Sequence, residues 1–120
     1  MRIAFLTLGC KLNYAETSTY ERGFTANGLE VVPWEEQADV YLINTCSVTE
    51  RAEKKCRNVI RKMHRVSPGA RIIVTGCYAE LRRNDLLAID GVSLVFGAKE
   101  KSRVVPVSYT HLRAHETSLH

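Results

Sequence analysis

The sequence predicts a small α/β domain built on a doubly wound parallel sheet of about four strands. Three observations carry this reading. Short apolar runs rich in strand formers alternate with segments of helical periodicity along most of the 120 residues. The strand-like runs are nearly continuous in apolar character, as expected when helices cover both faces of a sheet. The length suits one domain with a modest core.

Arg2–Leu8 is the first strand-like run. Asn13-Tyr-Ala-Glu16 then has the form of a helix start, with Asn13 as N-cap and Glu16 three residues on. The helix is expected to run to about Ala26, with Gly28 near its C-terminal cap. Glu30–Val32 is a short extended piece ended by Pro33, and Ala38–Asn44 is the second main strand. Ser47-Val-Thr-Glu50 offers a second capping box for a helix over about 48–65. In that helix Ala52, Cys56, Val59, Ile60 and Met63 share one apolar face. Ser67-Pro-Gly69 is a turn, and Ala70–Thr75 is the third strand. A helix over 78–89, broken near Asn84, leads to a fourth strand at Val92–Phe96. Strands alternating with helices imply parallel pairing through right-handed crossovers, a Rossmann/flavodoxin-like arrangement.

Composition narrows the function classes. Apolar residues make up 45% and charged residues 25%, an ordinary globular balance. The longest apolar runs are strand-sized, so no membrane span is expected. The N-terminus enters a strand directly and shows no secretory signal, which makes a cytoplasmic protein the default. The formal net charge of +4 suits an RNA partner and equally an ordinary basic protein.

The stretch 106–120 stands apart. It shows neither strand nor helix pattern and holds three of the four histidines. Residues 107–117 resemble a translated transposon-adapter sequence. The division is therefore a domain over 1–105 and a non-native tail over 106–120, expected to pack against nothing. A metal pair at His111 and His115, spaced as on one helix face, is set aside on the same ground.

The cysteines are the informative feature. In a reducing compartment disulfides are not expected, and no C-x-x-C pair marks a zinc ribbon. Cys10, Cys46 and Cys77 each fall just beyond a strand: Leu8-Gly9-Cys10, Asn44-Thr45-Cys46 and Thr75-Gly76-Cys77. In a parallel sheet those ends share one edge, where ligands bind in open α/β folds. Gly9 and Gly76 fit backbone that turns tightly there. Each cysteine also precedes a predicted helix, whose N-terminal dipole favours thiolate. Three thiolates are one short of closing a tetrahedral zinc site or fully ligating a 4Fe-4S cluster, so such a cluster would keep one open iron. Cys56, on the apolar stripe, is a core residue and not a ligand.

Several segments together resemble the N-terminal domain of the radical-SAM methylthiotransferase family. They are Thr7-Leu-Gly-Cys-Lys-Leu-Asn13 with Glu16-Thr17, Ile43-Asn-Thr-Cys-Ser-Val-Thr49, Arg71–Val74 leading into Thr75-Gly-Cys-Tyr-Ala79, and Gly91-Val92 leading to Phe96-Gly97. The resemblance covers about 1–103. It implies a three-part enzyme whose central radical-SAM barrel, with its own C-x3-C-x2-C cluster, and C-terminal RNA-binding barrel are both absent from this chain. It implies that Cys10, Cys46 and Cys77 hold an auxiliary 4Fe-4S cluster whose open iron carries the sulfur. It further implies S-adenosylmethionine, a second 4Fe-4S cluster, an electron donor and tRNA as partners. Gly9-Cys-Lys-Leu-Asn13 with Glu16-Thr17 looks most like enzymes that convert N6-threonylcarbamoyladenosine at tRNA position 37 to its 2-methylthio form. The isopentenyladenosine and ribosomal-protein branches usually carry other wording at this point.

Asn13 and Asn44 flank the cysteines. Asn13 is read first as an N-cap and second as a neighbour of cluster or substrate; Asn44 either bonds a cluster sulfur or holds the Cys46 turn. The helix after Cys46 is basic, and a solvated outer face is preferred for it over a tRNA phosphate contact. Outside the enzyme class, a non-catalytic metal-binding module and a flavodoxin-like domain with incidental cysteines are the competing readings. Single glycines before cysteines do not make a phosphate loop, which counts against the second.

Overall fold

A computed structural model describes residues 1–8, 11–45 and 50–118, with backbone alone at 11–13 and 113–118. The elements are β1 (Arg2–Leu8), α1 (Lys11–Ala26), β2 (Glu30–Val32), β3 (Val40–Thr45), α2 (Glu50–Val66), β4 (Arg71–Gly76), α3 (Cys77–Leu81), α4 (Arg83–Leu87) and β5 (Val92–Phe96), then a 3-10 turn (Ala98–Arg103) and α5 (Val104–Ser118). All strand pairs are parallel, in the order β2-β1-β3-β4-β5. This is the flavodoxin-like order, and it reverses direction between β1 and β3.

The sheet has five strands where about four were expected. Glu30–Val32 pairs with β1 as Arg2↔Glu30, Ile3↔Val31 and Ala4↔Val32, so it is an edge strand. Three residues are too few for a period-two pattern to be visible.

Every residue of β3 is buried. Alternate residues serve opposite faces of the sheet. Tyr41 and Ile43 pack with Cys56, Ile60 and Met63 of α2, with Tyr78 of α3 and with Leu86 of α4. Val40 and Leu42 pack with Tyr20 and Phe24 of α1 and with Val104 and Leu112 of α5. The helices thus form one layer on each face.

One helix start differs from expectation, one expected cap lies outside the described residues, and one expected break falls two residues early. Helix α1 begins at Lys11, so Asn13 lies inside its first turn and is not the N-cap. The capping residue proposed for α2, Ser47, lies outside the described residues. The helix expected over 78–89 is two five-residue helices, divided at Arg82 (φ −124°, ψ 37°).

The largest correction is the tail. Residues expected to pack against nothing form α5, with Leu112 2% and Ser108 0% exposed. Gly23 lets α5 approach α1: a Cβ there would meet Val105 Cγ2 at 2.8 Å. Pro106 is the third residue of the helix, where no backbone N–H partner is required. The buried positions 104, 108 and 112 are four apart, but the middle one is serine. A polar residue in the stripe hides the apolar period. His111 is exposed on this helix, and the side chain of His115 is not among those described.

Candidate functional site

The C-terminal ends of β1, β3 and β4 are in register. Leu8 pairs with Thr45, and Thr45 with Gly76. Cys46 follows Thr45 directly, Cys77 follows Gly76 directly, and Cys10 is the second residue after Leu8. The β1/β3 switch point, where open α/β sheets bind ligands, therefore falls where the chain goes on to Cys10 and Cys46. Cys10, Cys46 and Gly9 lie outside the described residues. Among the described residues no group of three or more His, Cys, Asp or Glu side chains is placed to hold a metal.

Cys77 is the described member of the triad. It is the first residue of α3, it is exposed, and it has no disulfide partner. A five-residue helix aligns few peptide dipoles, so the dipole support at Cys77 is smaller than a long helix would give. The exposed position follows from Gly76, whose φ of +111° and ψ of −166° belong to a region essentially reserved for glycine. A Cβ on Gly76 would sit 1.9 Å from the Thr45 carbonyl oxygen and 2.7 Å from Thr45 Oγ1. The backbone preceding Cys77 thus lies directly against the residue preceding Cys46. The conformation that the sequence analysis assigned to Gly76 is present, and its contact is with Thr45.

Cys56 is opposite in every respect. It is 1% exposed in the core between α2 and the sheet, and burial pushes its thiol up to about 12. Such a thiol stays protonated and makes a poor ligand.

Beneath the edge lies a polar network of which the sequence singled out only Asn44, whose described side-chain bond goes to Thr17. Thr7 and Thr17 share a hydrogen bond of 2.8 Å between their hydroxyls. Asn44, 2% exposed, donates its side-chain amide to Thr17 Oγ1 at 3.3 Å. Thr45 Oγ1 donates to the Thr75 carbonyl at 2.9 Å. These bonds tie α1 and the ends of β1, β3 and β4 together. The signal in the sequence was threonine or asparagine at successive strand ends, polar residues where an apolar run would otherwise continue. The side chain of Asn13 is not among those described.

A charged rim borders Cys77. Lys101 Nζ lies 2.8 Å from Glu16 Oε2, close enough to Cys77 to interact with it electrostatically. The hydrogen bond to Glu16 raises the Lys101 ammonium pKa. Burial raises the Tyr20 phenol, Glu16 adds to the rise, and a Thr75 hydrogen bond opposes it. Glu100 accepts from the Gly97 N–H at 2.9 Å and from Arg83. Those bonds, the backbone one foremost, hold its carboxyl below the ordinary value.

Two clefts lie away from this edge. One, of about 390 Å³, is lined by Arg2, Asp39, Pro68 and their neighbours at the start of the strands. The other, of about 540 Å³, lies between α2 and α4 and is lined by Arg57, Arg61, His64, Asp85 and Asp90 among others. Neither includes Cys77.

Known proteins are similar to this sequence. Residues 2–97 match the model of the Uncharacterized protein family UPF0004. The threonylcarbamoyladenosine tRNA methylthiotransferase MtaB of Bacillus subtilis is 44% identical over 103 residues, 86% of this chain and 23% of that protein. The enzyme of the same name from Aquifex aeolicus is 38% identical over 116 residues, 97% of this chain and 28% of that protein, a match that extends past residue 105. A tRNA-2-methylthio-N(6)-dimethylallyladenosine synthase from Fervidobacterium nodosum is 31% identical over 104 residues, 87% of this chain and 24% of that protein. The chain spans about a quarter of the length of these relatives. With that family match over most of its length, the chain belongs to the Uncharacterized protein family UPF0004.

Proposed function

We propose that this chain is the iron–sulfur-binding part of a cytoplasmic tRNA methylthiotransferase acting on N6-threonylcarbamoyladenosine at position 37, and that Cys10, Cys46 and Cys77 hold a 4Fe-4S cluster. The observation that carries the reading is the register of Leu8, Thr45 and Gly76, each one or two residues before one of these cysteines. The donor set fits the group: thiolates are the usual cluster ligands, and three of them leave one iron open. The exposure of Cys77 at that edge and the burial of Cys56 in the core support reading the first as a ligand and the second as none. Bound there, the cluster supplies the sulfur that is transferred, and S-adenosylmethionine supplies the methyl group. The chain's own part is positional. Gly76 sets the backbone before Cys77 against Thr45, and the Thr7–Thr17–Asn44 bonds brace the strand ends. The substrate follows the relatives named for threonylcarbamoyladenosine, which reach 44% identity. The radical-SAM and RNA-binding parts, with their second cluster and electron donor, belong to the remainder of the parent protein. The adapter likeness of 107–117 supports a non-native origin for 106–120, even though 106–118 is helical and Leu112 is buried; genomic sequence across Val105 tests it.

Anaerobic reconstitution is the first test. The chain is expected to take up about four irons and four sulfides. Cys10→Ala, Cys46→Ala and Cys77→Ala each abolish the uptake, and Cys56→Ala retains it. Equal iron loss in the Cys56 variant overturns the ligand assignment. Nucleoside mass spectrometry of tRNA treated with the full-length parent, reductant and S-adenosylmethionine tests the substrate. The methylthio product is expected on threonylcarbamoyladenosine and is absent with this chain alone. Modification of isopentenyladenosine only would overturn the substrate and leave the class standing.

A further inference from the structure

We infer that the outer face of α2 is a phosphate-binding surface that receives the backbone of the RNA substrate. The inference rests on the tRNA reading above and assigns it a place on this domain. Seven of the chain's 17 Lys and Arg residues lie on α2, against two of its 13 Asp and Glu, so the helix carries +5 and the rest of the chain −1. The whole positive balance of the protein is therefore in one helix.

Their placement decides between a solvated face and a binding face. From 51 to 65 every exposed residue is Arg, Lys or Asn58: the six cations are Arg51, Lys54, Lys55, Arg61, Lys62 and Arg65. At 3.6 residues per turn these positions fall within an arc of about 120°, and they extend about 21 Å along the axis. A solvated helix face ordinarily alternates charge, with Glu and Lys four apart. This face has no acid. Glu50 and Glu53 lie off the arc, and Glu53 is paired with Arg82 at 3.2 Å. Arg51 and Lys55, and Arg61 and Arg65, are instead like charges four apart, an arrangement that costs stability. The helix dipole accounts for Arg65 in the last turn and for none of the others.

Among the described residues none of the six cations is in an ion pair; Lys62 stands over the Trp34 ring at 5.5 Å. A one-signed, unpaired stripe about 21 Å long is complementary to a polyanion with regularly spaced charges. Arg57 sits beside the stripe and donates to the Tyr78 hydroxyl at 3.1 Å, next to Cys77. The stripe also begins five residues after Cys46. An RNA backbone lying along it would pass from the sheet edge down the side of the domain.

The test is binding of an unmodified tRNA transcript to the 120-residue chain, followed by fluorescence anisotropy over a salt series. Two triple variants neutralise the stripe: Arg51→Gln with Lys54→Gln and Lys55→Gln, and Arg61→Gln with Lys62→Gln and Arg65→Gln. Glutamine keeps helix propensity, and far-UV circular dichroism checks the fold. A control triple removes equal charge elsewhere, at Arg2, Arg22 and Lys99. Each stripe variant is expected to lower the slope of log K against log salt by about two to three, near one per lost phosphate contact. The control is expected to lower it by less than about one. Equal losses in stripe and control variants, no binding by the parent chain at low salt, or equal affinity for poly-glutamate would each overturn the inference. Iron uptake is measured on the same variants. Uptake retained while tRNA binding is lost is expected; a chain that binds tRNA through the stripe but takes up no iron would instead fail the cluster reading and spare this one.

Discussion

Gly76→Ala is the substitution on which the architecture of the cysteine edge depends most directly. Two costs coincide there. A residue with a Cβ at φ +111° and ψ −166° loses about 1–3 kcal/mol to the backbone conformation alone. The added carbon would also lie 1.9 Å from the Thr45 carbonyl oxygen, and that neighbour is backbone held in the sheet, not a flexible side chain. Forcing such a contact apart costs about 1–3 kcal/mol more, for a total of about 2–6 kcal/mol. Two other glycines separate the terms. Gly28 has φ +90° with nothing within 4 Å of an added methyl, so Gly28→Ala carries the conformational cost without the collision. Gly69 has open space and no positive φ, so Gly69→Ala is expected to be neutral or slightly stabilising through the unfolded chain. In urea titrations, with a slope of about 2 kcal/mol per molar, Gly76→Ala shifts the midpoint down by about 1–3 M. Gly28→Ala shifts it down by about 0.5–1.5 M, and Gly69→Ala leaves it level or raises it. A Gly76→Ala protein no less stable than Gly28→Ala would refute the close approach of Gly76 to Thr45. The registered strand ends behind the proposed site would fall with it.

Two further outcomes are expected. Leu112→Ala should cost about 2–3 kcal/mol, because the side chain is 2% exposed against Phe24 and Val104, while Ser108→Ala should be neutral or stabilising, since its buried hydroxyl has no hydrogen-bond partner among the described residues; an unchanged thermal midpoint for Leu112→Ala would mean that α5 does not pack in solution. Iodoacetamide at pH 8 should label Cys77 in the native metal-free chain and spare Cys56, whose thiol, pushed up to about 12, is ionised to the order of one part in ten thousand at that pH. Because the folded value of Cys56 is raised, its contribution to stability is complete below the ordinary 9.0 and is lost as pH rises from there toward about 12; peptide mass spectrometry showing Cys56 labelled as fast as Cys77 would contradict its burial.

The sequence alone determined the fold class and the core position of Cys56. Strands that are apolar throughout, such as Val40–Thr45, can be buried only between two helical layers, so the parallel α/β reading follows from local pattern. Parallel strands end at one edge, where Cys77 follows Gly76 directly, and Cys56 on a helical apolar stripe faces the core, as the helical period requires. Only the tertiary structure decided the rest. Glu30–Val32, legible as a short extended piece, becomes a fifth strand because β1 offers it an edge. Helix α5 packs because Gly23 leaves room for Val105 and because Leu112 reaches a site built by α1 and the sheet. With serine at the middle position of its stripe, no periodicity announces it. The register that sets Thr45 against Gly76 is likewise a property of strand pairing, in which backbone hydrogen bonds and long-range packing, not the residues of either strand alone, select the partner.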